Sequence, residues 1–453
     1  MIRQTTKHSF YSHSTVIKKI PINTLPTPPE SSKPIIKLIF VKKLRNLSKT
    51  VLYLSYDGMT DPLGQSQVLP YLKGLSNAGY TIHLLSFEKS ERFKKHRKHI
   101  ASICKSSNIQ WHPQDYASEG GLKNTLKQVR KMKKVAFYLH EKHQFDHTHC
   151  RSYISALIGL KLKRRKNVKF IFDMRGFWAD ERVDGEIWSL SNPIFERIYK
   201  FFKRKERQFF SEADYTISLT ENGKNEIESW SIFQHKKPKI KVIPCCVDLE
   251  LFNPSTISKE LQIEARNQLN IHDDNFILGY VGSIGTWYML SEMLDYFKIL
   301  KETKKNARFL FVTGDSAEMI FSEAESRGVP KSDIIIQSSL HKDVPLYISI
   351  FNSSIFFIRP TYSKKASSPT KQGEIMAMGI PLICNAGVGD TDDIVLNSFA
   401  GDVVPNCTID SYHQLFDYPA TFDRTKTMEG AEKYFSLEEG VKRYLSVYKA
   451  IYA

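Results

Sequence analysis

The sequence predicts an α/β protein of two domains, each a parallel sheet covered by helices. Three observations predict it. The chain has 453 residues, more than one hydrophobic core ordinarily holds. Two successive sets of short apolar segments alternate with helical patterns, one on each side of residue 250. Thr50 to Phe87 reads strand, loop, helix, strand, which is the βαβ unit of such sheets.

Thr50 to Asp57 is a buried-type strand. Gly58 to Gln65 is turn-rich and reads as a loop. Ser66 to Ala78 places Val68, Leu69, Leu72 and Leu75 on one side and meets its stop at Gly79, so it reads as a helix. Thr81 to Phe87 is the next strand. The loop Asp61-Pro-Leu-Gly-Gln-Ser then lies at the carboxyl end of the first strand, where open α/β sheets bind ligands. Residues 121–143 form a basic helix. A helix from Ile154 to Lys163 and a strand from Val168 to Asp173 follow. Pro193 to Phe210 is a long helix of aromatics and cations, which suits either a membrane interface or a core with snorkelling lysines. Ala213 to Leu219 and Lys239 to Ile243 are strands, and Pro244 to Pro254 crosses between domains.

The second set begins with the strand Phe276 to Ser283, the helix Met289 to Glu302 and the strand Ala307 to Thr313. Ile334 to Gln337 and Ser354 to Arg359 are strands, with a helix near Val344 to Ile350 between them. Ile380 to Cys384 closes the run, and Leu437 to Tyr452 is an amphipathic final helix. The expected organisation is a basic, loosely ordered extension over 1–49, a first domain over 50–247, a second over 248–435 and the final helix over 436–453.

Charge is distributed unevenly. Residues 1–250 carry 45 Lys and Arg against 23 Asp and Glu, while residues 251–453 carry 20 against 25. A polycationic first half suits an anionic partner, either phospholipid or nucleic acid. No nucleic-acid motif accompanies it, which disfavours the latter. No apolar run approaches the 18 or so residues of a membrane span, and the N-terminus lacks a signal peptide's apolar core. Six cysteines without zinc-ligand spacing suit a reducing cytosol. No Gly-x-Gly-x-x-Gly follows a strand, which argues against a dinucleotide-dependent oxidoreductase.

The densest chemical signal is Ser368-Pro-Thr-Lys-Gln-Gly-Glu-Ile-Met-Ala-Met-Gly379, set between two strands. Ser368 suits an N-cap and Pro369 the first helical position. Gly379 suits a left-handed stop. Unpaired N–H groups and Lys371 in the first turn suit a phosphate. Glu374, on the same face as Lys371, suits ribose hydroxyls.

This run resembles the donor-site helix of the two-domain GT-B glycosyltransferases, most closely family 4. The resemblance extends from about Thr50 to the C-terminus. It implies two Rossmann-like domains facing a central cleft, the first taking the acceptor and the second the nucleotide-sugar donor. The last helix would cross back to the first domain. Glu374 matches the family's ribose ligand. Gly64, Gln65 and Ser66 match its first-domain loop near the donor phosphates, and Gly282, Ser283 and Thr286 its second-domain phosphate loop. His149 in His149-Cys-Arg-Ser-Tyr matches a histidine beside the donor sugar, with His147 as the competing candidate. Asp173 and Arg175, in Phe172-Asp-Met-Arg-Gly-Phe-Trp, resemble an acceptor-side motif, and the pair can equally organise a loop. Asn385 to Asp390 reads as a donor-side loop or a plain turn.

Two departures stand out. The phosphate-binding Arg and Lys of many members are replaced by Ser283 and by Trp287-Tyr288. The first of the family's two glutamates is Ala366. Phosphate binding is therefore expected to move to Lys371, Thr370 and the amides from Ser368. The implied activity is transfer of a sugar from a nucleoside diphosphate sugar to a glycan or lipid-linked acceptor, in cell-surface polysaccharide or lipopolysaccharide synthesis. No metal and no cofactor are expected: Lys371 and helix N–H groups would meet the leaving group's charge, and no Asp-x-Asp metal signature is expected in the chain. The expected location is the cytoplasm, with docking on the inner face of the membrane. The alternatives are a nucleotide-sugar epimerase of the same shape and a non-catalytic nucleic-acid- or anion-binding protein.

Overall fold

The computed structural model describes residues 49–117, 121–417 and 419–453. The expected basic extension lies outside them, apart from Lys49.

The first sheet contains β1 (Thr50–Ser55), β2 (Thr81–Glu88), β3 (Ile109–Asp115), β4 (His147–Arg151), β5 (Lys169–Asp173), β6 (Tyr215–Ser218) and β7 (Ile240–Val242). Its order is β3-β2-β1-β4-β5-β6-β7, and its pairings are parallel. Around it lie α1 (Pro62–Gln67), α2 (Leu69–Asn77), α3 (Ser90–Ser106), α4 (Leu122–His143), α5 (Ser152–Lys166), α6 (Trp178–Asp184), α7 (Pro193–Glu212) and α8 (Glu221–Ser229).

The second sheet contains β8 (Ile277–Val281), β9 (Arg308–Val312), β10 (Ile334–Gln337), β11 (Ser353–Phe356), β12 (Leu382–Asn385) and β13 (Gly401–Val404), in the order β10-β9-β8-β11-β12-β13, again parallel. Its helices are α9 (Lys259–Gln268), α10 (Leu290–Thr303), α11 (Ala317–Ser326), α12 (Val344–Ile348), α13 (Thr370–Ala377), α14 (Thr391–Asn397), α15 (Ile409–Asp417) and α16 (Arg424–Phe435). The last helix is α17 (Leu437–Ala450).

Both sheets are covered on two faces, which explains their unbroken apolar strands: Val51, Leu52, Tyr53 and Leu54, or Phe309, Leu310 and Phe311, are all buried. One core fills the second lobe, and two flank the first sheet. Helix α17 packs on the first sheet, where Tyr444, Val447, Tyr448 and Ile451 join the core with Val51 and Tyr53. Each such burial contributes about 1.5–3 kcal/mol, so several kcal/mol hold the C-terminus there.

The strand order reverses between β1 and β4 in one sheet and between β8 and β11 in the other. The carboxyl ends at these switch points are where such sheets receive ligands.

Several sequence expectations need correction. Gly58 to Gln65 is not all loop, since α1 starts at Pro62. The single helix expected over 66–78 is two, broken at Val68 (φ −131°, ψ −62°). His149 lies inside β4, which the sequence reading did not mark as a strand. Strands β3 and β13 are sheet edges whose half-polar sequences carry little apolar signal. Helix α7 is a core helix: Phe202, Phe209 and Phe210 are buried, and Lys203 is held by Asp180 (2.7 Å) and by Glu206. Among the described residues, no helix is long and apolar enough to cross a membrane.

Candidate active site

Helix α13 begins after Pro369, which is its N-cap, and no side chain caps it. Ser368 does something else: its Oγ accepts the Cys245 N–H at 3.2 Å, tying the start of the α13 segment to the crossing between lobes. The helix ends at Gly379, whose φ of +66° is the left-handed stop that the sequence implies.

Lys371 is buried at the head of this helix. Its Nζ donates to the Tyr280 hydroxyl at 2.8 Å and lies 3.9 Å and 3.5 Å from the ring centroids of Tyr280 and Tyr288. Burial pushes its pKa well below the usual lysine value, against the charges of Glu374 and Asp315. The same ammonium sits under the loop after β8. A Cβ on Gly282 (φ +95°) would stand 3.5 Å from Nζ. Tyr280 joins the two, because its hydroxyl also donates to the Ser283 carbonyl at 2.8 Å. The rings of Tyr280 and Tyr288 thus cage the Lys371 ammonium.

The rest of that loop is held by Asp315. Ser283 Oγ donates to both of its carboxylate oxygens at 3.1 Å, and the Ile284 N–H donates at 2.5 Å. The Ser283 hydroxyl therefore faces Asp315, and Thr286 is exposed at the rim.

One turn beyond Lys371, Glu374 Oε1 contacts His341 Nε2 at 3.1 Å. This hydrogen bond raises the His341 pKa in spite of partial burial. Glu374 and Thr370 line a cavity of about 570 Å3 that also takes Gln65, Thr60 and Arg92 from the first lobe. Gly64 packs on its own loop: a Cβ there would come 2.3 Å from the Gly58 carbonyl. Glu88, absent from the sequence expectations, anchors that loop by accepting the N–H groups of Met59 (2.9 Å) and Thr60 (3.0 Å).

His149, Asp173 and Arg175 are brought together, but under cover. His149 is 1% exposed. Its Nε2 meets Asp173 Oδ2 at 3.3 Å and its Nδ1 meets the Tyr448 hydroxyl at 2.9 Å. Burial lowers the His149 pKa. Asp173 makes Nε2 the protonated nitrogen of the neutral ring, so Nδ1 accepts from Tyr448. Both ring nitrogens are engaged beneath α17. His147, the competing candidate, is likewise buried, against the Tyr452 hydroxyl at 2.6 Å.

Asp173 also accepts from the Tyr444 hydroxyl at 3.1 Å. Burial works to raise its pKa, but Arg175 and the His149 hydrogen bond hold it below the ordinary carboxylate value. Arg175 has φ +58°, donates to Cys245 Sγ at 3.2 Å and lies 3.9 Å from Asp173. The pair is buried where the lobes meet rather than lining an open wall.

Ala366 is fully buried and belongs to the first lobe's core. Beside it Lys364 Nζ bonds Glu181 at 2.6 Å and lies 3.6 Å from the Trp287 ring centroid. The Asn385 to Asp390 loop also joins the lobes, with the Asp390 carboxylate accepting the N–H groups of Glu221 (2.6 Å) and Asn222 (2.9 Å). Asp390-Thr391-Asp392 corrects one sequence expectation: it does have the spacing of an Asp-x-Asp metal signature. Asp390, however, is engaged at the α8 N-terminus, and Asp392 accepts the Gly387 N–H at 3.2 Å.

Arg151 is a residue the sequence reading passed over. It ends β4, is 4% exposed, and its Nε lies 3.8 Å from Asp57 Oδ2. The period-two row His147, His149, Arg151 carried the signal.

Residues 65–251 match the family described as Glycosyltransferase Family 4, and residues 262–418 match the family described as Glycosyl transferases group 1. No curated protein matches the chain by sequence. Among solved structures, the chain is similar to sucrose-phosphate synthase from Thermosynechococcus elongatus, with a TM-score of 0.66 at 16% identity, covering 89% of this chain and 99% of that one. A glycosyltransferase from Rickettsia africae has a TM-score of 0.60 at 15% identity, covering 89% and 99%. Anabaena HepE in complex with UDP and glucose has a TM-score of 0.61 at 12% identity, covering 88% and 99%. At these identities the structures speak for the fold, and the two family matches, placed one after the other along most of the chain, speak for the chemistry. The chain is a glycosyltransferase of the GT-B fold, resembling family 4.

Proposed function

We propose that the enzyme moves a sugar from a nucleoside diphosphate sugar to a glycan or lipid-linked acceptor, without a metal. One observation carries the reading: Lys371 Nζ lies beneath Gly282 at the head of α13, with Glu374 one turn further on. The diphosphate would rest on Gly282, the first N–H groups of α13 and Lys371, and the ribose on Glu374 in place of His341. As the bond to the sugar breaks, charge grows on the leaving phosphate. A fixed ammonium and helix dipole in a water-poor cleft stabilise that charge. Uridine is the first base to test, since HepE was crystallised with UDP.

The acceptor would enter on the side of the first lobe. The cationic first half, including the exposed basic residues of α4, supports docking on an anionic inner leaflet, and with it a role in cell-surface polysaccharide synthesis. The test is a panel of nucleoside diphosphate sugars, read first as heat stabilisation and then as transfer in excess chelator. The reading requires at least one to stabilise the protein by mass action and to be turned over only when acceptor is added. Turnover of donor alone into a new sugar nucleotide would instead identify an epimerase.

A further inference from the structure

The first sheet contains a side-chain ladder that stops one rung short. His147, His149 and Arg151 alternate along β4 and share one face. Tyr452, Tyr448 and Tyr444 recur every four residues at the C-terminus and share one side of a helical path. The first two rungs are closed, His147 by Tyr452 and His149 by Tyr448. The third is not, because the Tyr444 hydroxyl turns to Asp173 instead.

The Arg151 guanidinium lies beside the Tyr53 hydroxyl, yet its buried Nε and Nη1 have no hydrogen-bond partner, and the residue is 4% exposed. Its nearest carboxylate, Asp57, stays 3.8 Å from Nε and is half-exposed. A buried guanidinium with unmade hydrogen bonds is costly and is ordinarily satisfied.

Its position gives the reason. Arg151 and Asp57 flank the carboxyl ends of β4 and β1, the pair at which the strand order reverses. Helix α5 starts at the next residue, with no side-chain cap and no acid in its first turn. A cation with free donors beside an uncapped helix start suits an oxyanion. The donor diphosphate has its own cation, Lys371, in the other lobe.

We propose that Arg151 receives an anionic group of the acceptor, a phosphate or a carboxylate. This rests on the transferase reading with the acceptor on the first lobe. A guanidinium stays charged and donates to either anion, and Asp57 is the competitor that it leaves.

The test is calorimetric titration of the full-length protein, with and without UDP, using three probes: sn-glycerol 3-phosphate, glucuronate and neutral glucose. One anion should bind more tightly than glucose by about tenfold or more, and which one wins identifies phosphate or carboxylate as the source. Arg151→Gln should remove that advantage and Arg151→Lys should keep part of it. Asp57→Asn should tighten the anion by about two- to threefold, as loss of an exposed competitor would. Two results overturn the proposal: neither anion outbinding glucose, or Arg151→Gln binding the anion as the unchanged protein does. Should Arg151→Gln not fold, an affinity unmoved by both Arg151→Lys and Asp57→Asn overturns it equally. Loss of the UDP response with anion binding intact would count against the donor reading alone.

Discussion

Ala366 packs against Gly223 across the two lobes, so closely that a Cβ on Gly223 would stand 2.8 Å from the Ala366 methyl. Ala366 is fully buried there, and Gly176 faces its carbonyl from the same lobe. The position where the family usually carries a sugar-side carboxylate is therefore closed by packing between lobes, and an added carboxylate would have no solvent.

Ala366→Glu should for this reason destabilise the protein by roughly 3–5 kcal/mol, as an unpaired buried charge does. Denaturant unfolding measures it. A variant as stable as the parent and faster in transfer would show instead that the position opens onto substrate.

Lys371→Met should lower donor-dependent turnover by about 10²–10³-fold, the effect of losing one strong electrostatic contact in a transition state. A second consequence follows from its depressed pKa. An arriving diphosphate favours the ammonium, so UDP binding should take up a proton at pH values above the free-enzyme pKa and below the bound one. Titrations in buffers of different ionisation enthalpy detect this uptake. It should vanish in Lys371→Met; uptake that survives the substitution would place the proton elsewhere.

Asp390 fastens the second lobe to the first turn of α8. Asp390→Ala should cost about 1 kcal/mol, the usual worth of a helix cap, and should loosen the closed arrangement. Small-angle scattering would register this as a larger radius of gyration. Unaltered stability and scattering would mean that the remaining contacts hold the lobes by themselves.

Acid should weaken the fold well above the carboxylate range. Burial lowers the pKa of His147 and His149, and pushes His83 down to about 3. Unfolded histidines titrate near 6.5. Below that pH the unfolded chain binds protons that the native chain refuses, so stability present above pH 6.5 falls as the pH drops, by about 1.4 kcal/mol per pH unit for each such proton. Unfolding free energies between pH 7.5 and 5 test the slope, and His83→Gln should reduce it. A flat profile would contradict the neutral buried rings.

How much of this was legible in the sequence depended on distance along the chain. The α13 segment was readable because Pro369, Lys371, Glu374 and Gly379 act within about three turns. The α/β architecture was readable because strands covered on both faces must be apolar throughout. The burial of His149 was not legible because the hydroxyl that covers it belongs to Tyr448, at the other end of the protein. Ser368 was misread as a helix cap because nothing local announces the Cys245 amide. Arg151 went unmarked because an unsatisfied guanidinium is visible only once its surroundings are. The edge strands β3 and β13 lack the two-faced burial that would have given them an apolar signature.

The most direct measurement is a crystal structure of the enzyme with an intact nucleoside diphosphate sugar. The account predicts phosphate oxygens within hydrogen-bond reach of Lys371 and the first α13 amides, and Glu374 turned from His341 to the ribose. A nucleotide bound elsewhere, with the Glu374–His341 contact kept at its 3.1 Å, would contradict it.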